Sequence, residues 1–225
     1  MLCVSVLYIS LLLSSVSLSQ DTLSVVRQWL PMSVGDRWTY EVEARSGNRV
    51  HPDVKHWVQE ETTVAVEKLP EGTLLRQTIR FLDNTAPSAD SSAILIRGVC
   101  IYNLSPSHHG WGWDSIQHHL SAAFHESLNR GEALPSACFP LHRGQTWGDH
   151  NTGRHLWTVA GTGPKSQDDP LPASPVAWRF EANLASGDDN YAWFRKGIGV
   201  TAERTYHNGT YDDVRVRLLR FEPAR

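Results

Sequence analysis

The chain is 225 residues long, 40% apolar and 20% charged, with a formal net charge of -3, figures that suit one ordinary domain or at most two. They exclude a disordered chain, which would be apolar-poor and strongly charged, and a basic nucleic-acid binder. The average hides a shift, because residues 1–20 carry no charge and all 21 basic and 24 acidic residues lie beyond them.

Leu2 to Leu13 is almost wholly apolar and gives way to a Ser-rich patch ending in Ser17-Leu18-Ser19. Small residues three back and one back from a cut are what a signal peptidase needs, so residues 1–19 read as a signal peptide and 20–225 as the exported chain, extracellular or periplasmic. A membrane anchor fits less well, because Ser5, Ser10, Ser14 and Ser15 interrupt the run and crossing takes about 20 apolar residues. No later segment is long enough to span. Cys3 precedes the apolar core, where lipidation does not occur. Export leaves Cys100 and Cys138 in an oxidising compartment, and a disulfide between them is the expectation.

Asp21 to Leu30 reads as a short amphipathic helix capped by Asp21 and stopped by Pro31. The period then changes to two. Arg37 to Ala44 is the first predicted strand, and Val58, Thr62, Val64 and Val66 mark a second, with Glu60 interrupting their face. Leu75, Ile79 and Phe81 mark a third, and Ala93 to Tyr102 reads as one central strand covered on both faces. Asp114 with Gln117 forms a capping box, and Ile116, Leu120, Phe124 and Leu128 recur every four residues up to Gly131, predicting a helix over 115–129. Gly161 to Pro175 reads as an exposed loop. Val176, Trp178, Phe180, Ala182 and Leu184 form one face of a half-buried strand, and Tyr191 to Lys196 is another. Asn208-Gly209 signals a two-residue hairpin, which would set Tyr206 opposite Tyr211 and Arg204 opposite Asp213.

Leu30-Pro31-Met32 followed by Gly35-Asp36-Arg37-Trp38 is echoed by Phe139-Pro140-Leu141 followed by Gly144-Gln145-Thr146-Trp147. In each, Pro ends a segment, Gly makes a bend and Trp anchors a new strand. The echo predicts one domain of two related halves, about 30–135 and 136–225. With Tyr40 after the first copy, and Gly197-Ile198-Gly199-Val200 with Glu203 late in the chain, the sequence resembles a set of secreted bacterial β-rich proteins. Their pattern is a PLxxGxxWxY opening, a second copy at mid-chain and a late GxGxVxxE. The resemblance implies a curved antiparallel sheet like the half-barrels of periplasmic lipoprotein carriers, and it brings no catalytic residues. The expected fold class is therefore mainly β (α+β), a curved antiparallel sheet or half-barrel with a short N-terminal helix and one mid-chain helix.

Chemistry-bearing patterns are few. Gly197 to Ala202 matches a dinucleotide fingerprint in letters, but the segment alternates like a strand where the motif needs a helix. No cofactor is expected. His118 and His125 share a face of the predicted mid-chain helix, as do His119 and Glu126. They are weak metal candidates, since a zinc-protease helix would need His where Asn129 stands. Neither GxSxG nor SxxK occurs. Six tryptophans, Trp38, Trp57, Trp147, Trp157, Trp178 and Trp193, fall on predicted strands as packing residues. Trp111 and Trp113 flank Gly112 in a loop with His108 and His109, and these four are the candidate ligand-binding residues.

The sequence points to an exported, non-enzymatic protein that binds a lipid or other apolar or amphiphilic ligand, or a protein partner, in its curved sheet. A carbohydrate-binding module using Trp111 and Trp113, or a hydrolase without a local signature, are the alternatives. Nucleic acid is not an expected partner, and the oligomeric state is open.

Overall fold

Among the described residues twelve strands follow one another along the chain, the longer ones explained locally by alternating apolar and polar residues between turn-forming ones. In a computed structural model the described residues are 22–83, 90–104, 135–148, 156–164, 176–183, 190–207, 209 and 211–225. The strands are β1 (Arg37–Gly47), β2 (Pro52–Leu69), β3 (Gly72–Phe81), β4 (Asp90–Arg97), β5 (Cys100–Leu104), β6 (Ala137–Cys138), β7 (Thr146–Trp147), β8 (Leu156–Thr162), β9 (Trp178–Asn183), β10 (Asn190–Arg195), β11 (Gly199–His207) and β12 (Asp212–Glu222). All belong to one antiparallel sheet in the order β6-β5-β4-β3-β2-β1-β12-β11-β10-β9-β8-β7. Two meanders thus spread outward from a central pair, β1 and β12, that holds the first and last strands.

The connection between the outermost strands forces the sheet to curl. A flat sheet of twelve strands would be on the order of 50 Å wide. Yet β6 and β7, at its two edges, are joined only by residues 139–145, a length of chain that reaches about 25 Å. The sheet is therefore a nearly closed barrel. Gln145 strengthens the approach by donating from Nε2 to the Cys138 carbonyl at 2.9 Å.

A helix over 22–27 enters this barrel, with Val26, Trp29 and Leu30 buried. Trp29 stacks on Phe139 at 5.6 Å, Phe139 meets Phe194 edge-on at 5.3 Å, and Phe194 lies 6.0 Å from Phe180. Trp147 and Trp157 both pack edge-on against Phe180. This run of rings joins the helix, the connection between edges and the strands of the second meander into one core. On the outer face Tyr191, Trp193, Ala177 and Ala202 form a separate cluster, and the Trp193 indole donates to the Gly163 carbonyl at 2.9 Å.

The two echoed turns are built alike, bond for bond. Gly35 and Gly144 have φ of +98° and +81°, a region that favours glycine. Asp36 N–H bonds Ser33 O at 3.0 Å, as Gln145 N–H bonds His142 O at 3.1 Å. The Asp36 carboxylate accepts from Ser33 N–H at 2.7 Å, and the Gln145 side-chain carbonyl accepts from His142 N–H at 3.1 Å. Gly35 and Asp36 exchange backbone bonds with Thr63, and Gly144 and Gln145 do so with Val159. A β-bulge follows at the same place in each, between Thr63 and Ala65 and between Val159 and Gly161.

Several expectations need correction. Val64 is the extra residue of the first bulge and is exposed, so Val58, Thr62, Val64 and Val66 do not share a face, because the bulge shifts the phase between them. Ala93 to Tyr102 is two strands, a hairpin turning at Gly98 with φ of +60° and pairing Arg97 with Cys100. The late hairpin pairs Tyr206 with Asp213 and His207 with Asp212, two residues out of the predicted register, with Tyr211 at φ of +47° inside a longer loop. Both predicted contacts form even so, as diagonal neighbours: Tyr206 and Tyr211 are 6.3 Å apart, and Arg204 grips Asp213 through two bonds of 2.8 and 3.1 Å. The predicted helix over 115–129 lies outside the described residues.

Candidate functional site

The curled sheet encloses a cavity of about 770 Å³. Its walls come from inward-facing residues of ten strands. In β1 alternation sends Trp38 and Tyr40 inward, and their polar atoms are tied off: the indole donates to Ile198 O at 2.7 Å and the phenol to Val200 O at 3.2 Å. The opening and late motifs therefore meet, 160 residues apart in sequence, and hold the rim of β11 against β1. Gly197 N–H bonds Gln28 O at 2.8 Å, docking the helix on the same loop. Gly199 begins β11, so the glycines open a strand and no dinucleotide-binding helix follows.

The cavity has two chemically different sides, visible from positions that stand in the same relation to the two turns. Two residues before Thr63 is Glu61. Thr63 pairs with Gln77, and Gln77 with Ser92. Two residues before Val159 is Trp157; Val159 pairs with Phe180, and Phe180 with Ala192. All but Thr63 and Val159 line the cavity. One meander thus presents Glu61, Gln77 and Ser92 where the other presents Trp157, Phe180 and Ala192. Gln59 and Asn103 extend the polar side, and Phe194, Ile94 and Ile101 the apolar one.

Glu203 of β11, register partner of Ala192 in β10 and of Val216 in β12, adds a second carboxylate from the second meander. Burial pushes the Glu61 carboxyl up to about 7, against a hydrogen bond from Gln59, and the charge of Glu203 adds to the rise. The Gln59 amide donates to Glu61 at 2.9 Å and its carbonyl accepts from the Trp57 indole at 2.9 Å. Glu203 is also held above the ordinary carboxylate range by burial, although its side chain remains accessible, since its open side faces the cavity. Tyr40 stands between them on β1, its phenol raised well above the usual value by burial and by the charges of Glu61 and Glu203. Among the described residues no Lys, Arg or His lines the cavity.

Of the residues singled out from sequence, Cys100 and Cys138 are joined: they are register partners of β5 and β6 with sulfurs 2.02 Å apart. Trp111, Trp113, His108, His109, His118 and His125 lie outside the described residues. No group of three His, Cys, Asp or Glu side chains that could hold a metal exists among the described residues. The cavity carboxylates had only a weak sequence signal. Glu203 closes the late motif, whereas Glu61 looks like one of several charged residues on a strand. Glu60, which breaks the apparent face, points outward to Arg80 at 2.9 Å.

No protein-family model matches the chain, and the search of curated proteins finds none similar. Solved structures share its outline. One from Bacteroides fragilis, described as exported and of YmcC-like fold, is 12% identical with a TM-score of 0.43, over 87% of this chain and 99% of that one. A protein from Parabacteroides distasonis described as a lipoprotein is 10% identical with a TM-score of 0.43, over 86% and 97%. A LolA-superfamily protein from Nitrosomonas europaea is 9% identical with a TM-score of 0.32, over 92% and 94%. Likenesses at these scores carry no functional argument, which rests on the cavity.

Proposed function

We propose that this is an exported, non-enzymatic binding protein that takes an apolar or amphiphilic molecule into its barrel. The observation that carries the reading is the cavity of about 770 Å³ with aromatic and aliphatic residues from both meanders on its wall. Its size falls within the usual range for small-molecule sites, which are concave, mostly apolar and furnished with a few polar groups that orient the ligand. Export is supported by the uncharged leader of residues 1–20 and by the Cys100–Cys138 disulfide, a bond that persists in oxidising compartments.

Native mass spectrometry of the freshly purified mature chain, paired with uptake of the neutral dye Nile red, tests this. A co-purifying lipid or saturable dye fluorescence is expected. Ser92→Trp, which places an indole in the cavity, is expected to suppress uptake while leaving the β-sheet circular dichroism unchanged. Neither lipid nor dye in a folded wild-type protein would refute the proposal.

A further inference from the structure

Two unpaired acids on the wall of an apolar cavity need a reason. Replacing Glu61 by a hydrophobic residue of similar volume would ordinarily be neutral or stabilising, because a carboxylate partly removed from water is unfavourable unless a counter-charge or several donors meet it. The second meander shows that this barrel tolerates such residues, since Trp157 holds the place corresponding to Glu61. Glu61 has one donor, the Gln59 amide, and the Glu203 side chain has no hydrogen-bond or ion-pair partner among the described residues. Outside the barrel several acids of the same fold have cationic partners. Asp213 meets Arg204 and Arg215, and Glu43 meets Arg45 and Arg215.

Among the described residues, the groups that line the cavity around Glu61 and Glu203 are neutral. Tyr40 comes from β1 and Val216 from β12, Gln77 and Ile79 come from β3, and Ala192 and Phe194 come from β10. None of them is basic. On the strands next to Glu203, the rings of Phe194, Phe180 and Trp157 in β10, β9 and β8 offer a surface for hydrocarbon.

We infer that the barrel takes a cationic amphiphile, its amine head between Glu61 and Glu203 and its hydrocarbon on Trp157, Phe180 and Phe194. This rests on the proposed binding function and names its ligand class. An ammonium group would supply the missing counter-charge in a partly desolvated site, where a charge-assisted hydrogen bond is stronger than in water. An anionic head would face two acids and, among the described residues, no cationic donor, a repulsive contact that discriminates against it.

Displacement of Nile red from the mature protein by dodecylamine, dodecanol and dodecanoate, below their aggregation concentrations and at about pH 8 where carboxyls and amine are ionised, separates head from tail. Dodecylamine is expected to displace the dye at about tenfold lower concentration than dodecanoate, with dodecanol between. Glu61→Gln with Glu203→Gln is expected to bring the three within about twofold while dye uptake persists. If the double variant does not fold, Glu203→Gln alone, on an accessible side chain, is expected to cut the preference by about threefold. Equal displacement by all three, a preference for dodecanoate, or a preference that survives the substitutions would overturn the cationic assignment while leaving the apolar site standing. Absence of dye uptake by folded wild-type protein would instead remove the binding function on which the assignment depends.

Discussion

Glu61 carries the clearest consequence of a single side chain. Its carboxyl titrates near 7, against an ordinary 4.5, because burial disfavours the anion and Glu203 adds repulsion, with the Gln59 amide opposing both. A raised acid binds its proton more tightly in the folded chain than in the unfolded one, so stability is highest below the unfolded value and falls as pH rises from about 4.5 through about 7. Glu61→Gln removes that loss. The variant is expected to exceed the wild type by on the order of 2 kcal/mol at pH 8 and to match it near pH 4 in urea unfolding. Unchanged stability at pH 8 would mean that Glu61 is well solvated in the cavity. Asp213 behaves oppositely: burial works to raise its carboxyl, but the hydrogen bonds and charges of Arg204 and Arg215 outweigh it and hold it below the usual range. The Glu61 environment could not be read locally, since it looks like any charged residue of an alternating strand, whereas the Arg204 partner of Asp213 was legible in the late hairpin. What separates them is which face of the barrel they occupy.

Elements behave more predictably than side chains. Gly35 and Gly144, followed by Asp36 and Gln145, build the same turn, yet the two caps differ in strength. Asp36 is a buried carboxylate accepting from Ser33 N–H at 2.7 Å and Ala224 N–H at 2.9 Å. Gln145 makes neutral bonds to His142 N–H and Cys138 O. Asp36→Ala is expected to cost about 2–3 kcal/mol and Gln145→Ala about 1 kcal/mol, because bonds to a charged group contribute about twice as much and leave buried donors unmet when lost. Denaturant midpoints of the two variants check the order. The apolar alternation of β1, β9 and β10 and the helix before Pro31 were legible from residue types alone. Register and phase were not: the bulge after Thr63 and the four-residue loop after His207 each displace a pattern that local chemistry leaves unconstrained.

At the scale of the molecule, closure is held at the edges. β6 has two residues, and its bond to β5 is reinforced by the disulfide across a separation of 38 residues. Removing it with Cys100→Ser and Cys138→Ser is expected to lower unfolding free energy by about 3–4 kcal/mol, as the loop regains conformational freedom in the unfolded chain. A loss under about 1 kcal/mol would show that the Phe139 contacts alone hold the edge. The amino-acid sequence by itself determined the β-rich class, the uncharged first twenty residues, the Cys100–Cys138 pairing and the repeated turns, because each follows from local periodicity, composition or parity of cysteines. Only the tertiary structure decided that β1 lies beside β12, that the sheet curls until its edges approach, and that Glu61 and Glu203 share one cavity with a wall of rings. The first and last of those facts depend on residues more than 140 positions apart in sequence, where no local propensity acts and the burial of a common apolar interior selects the partner.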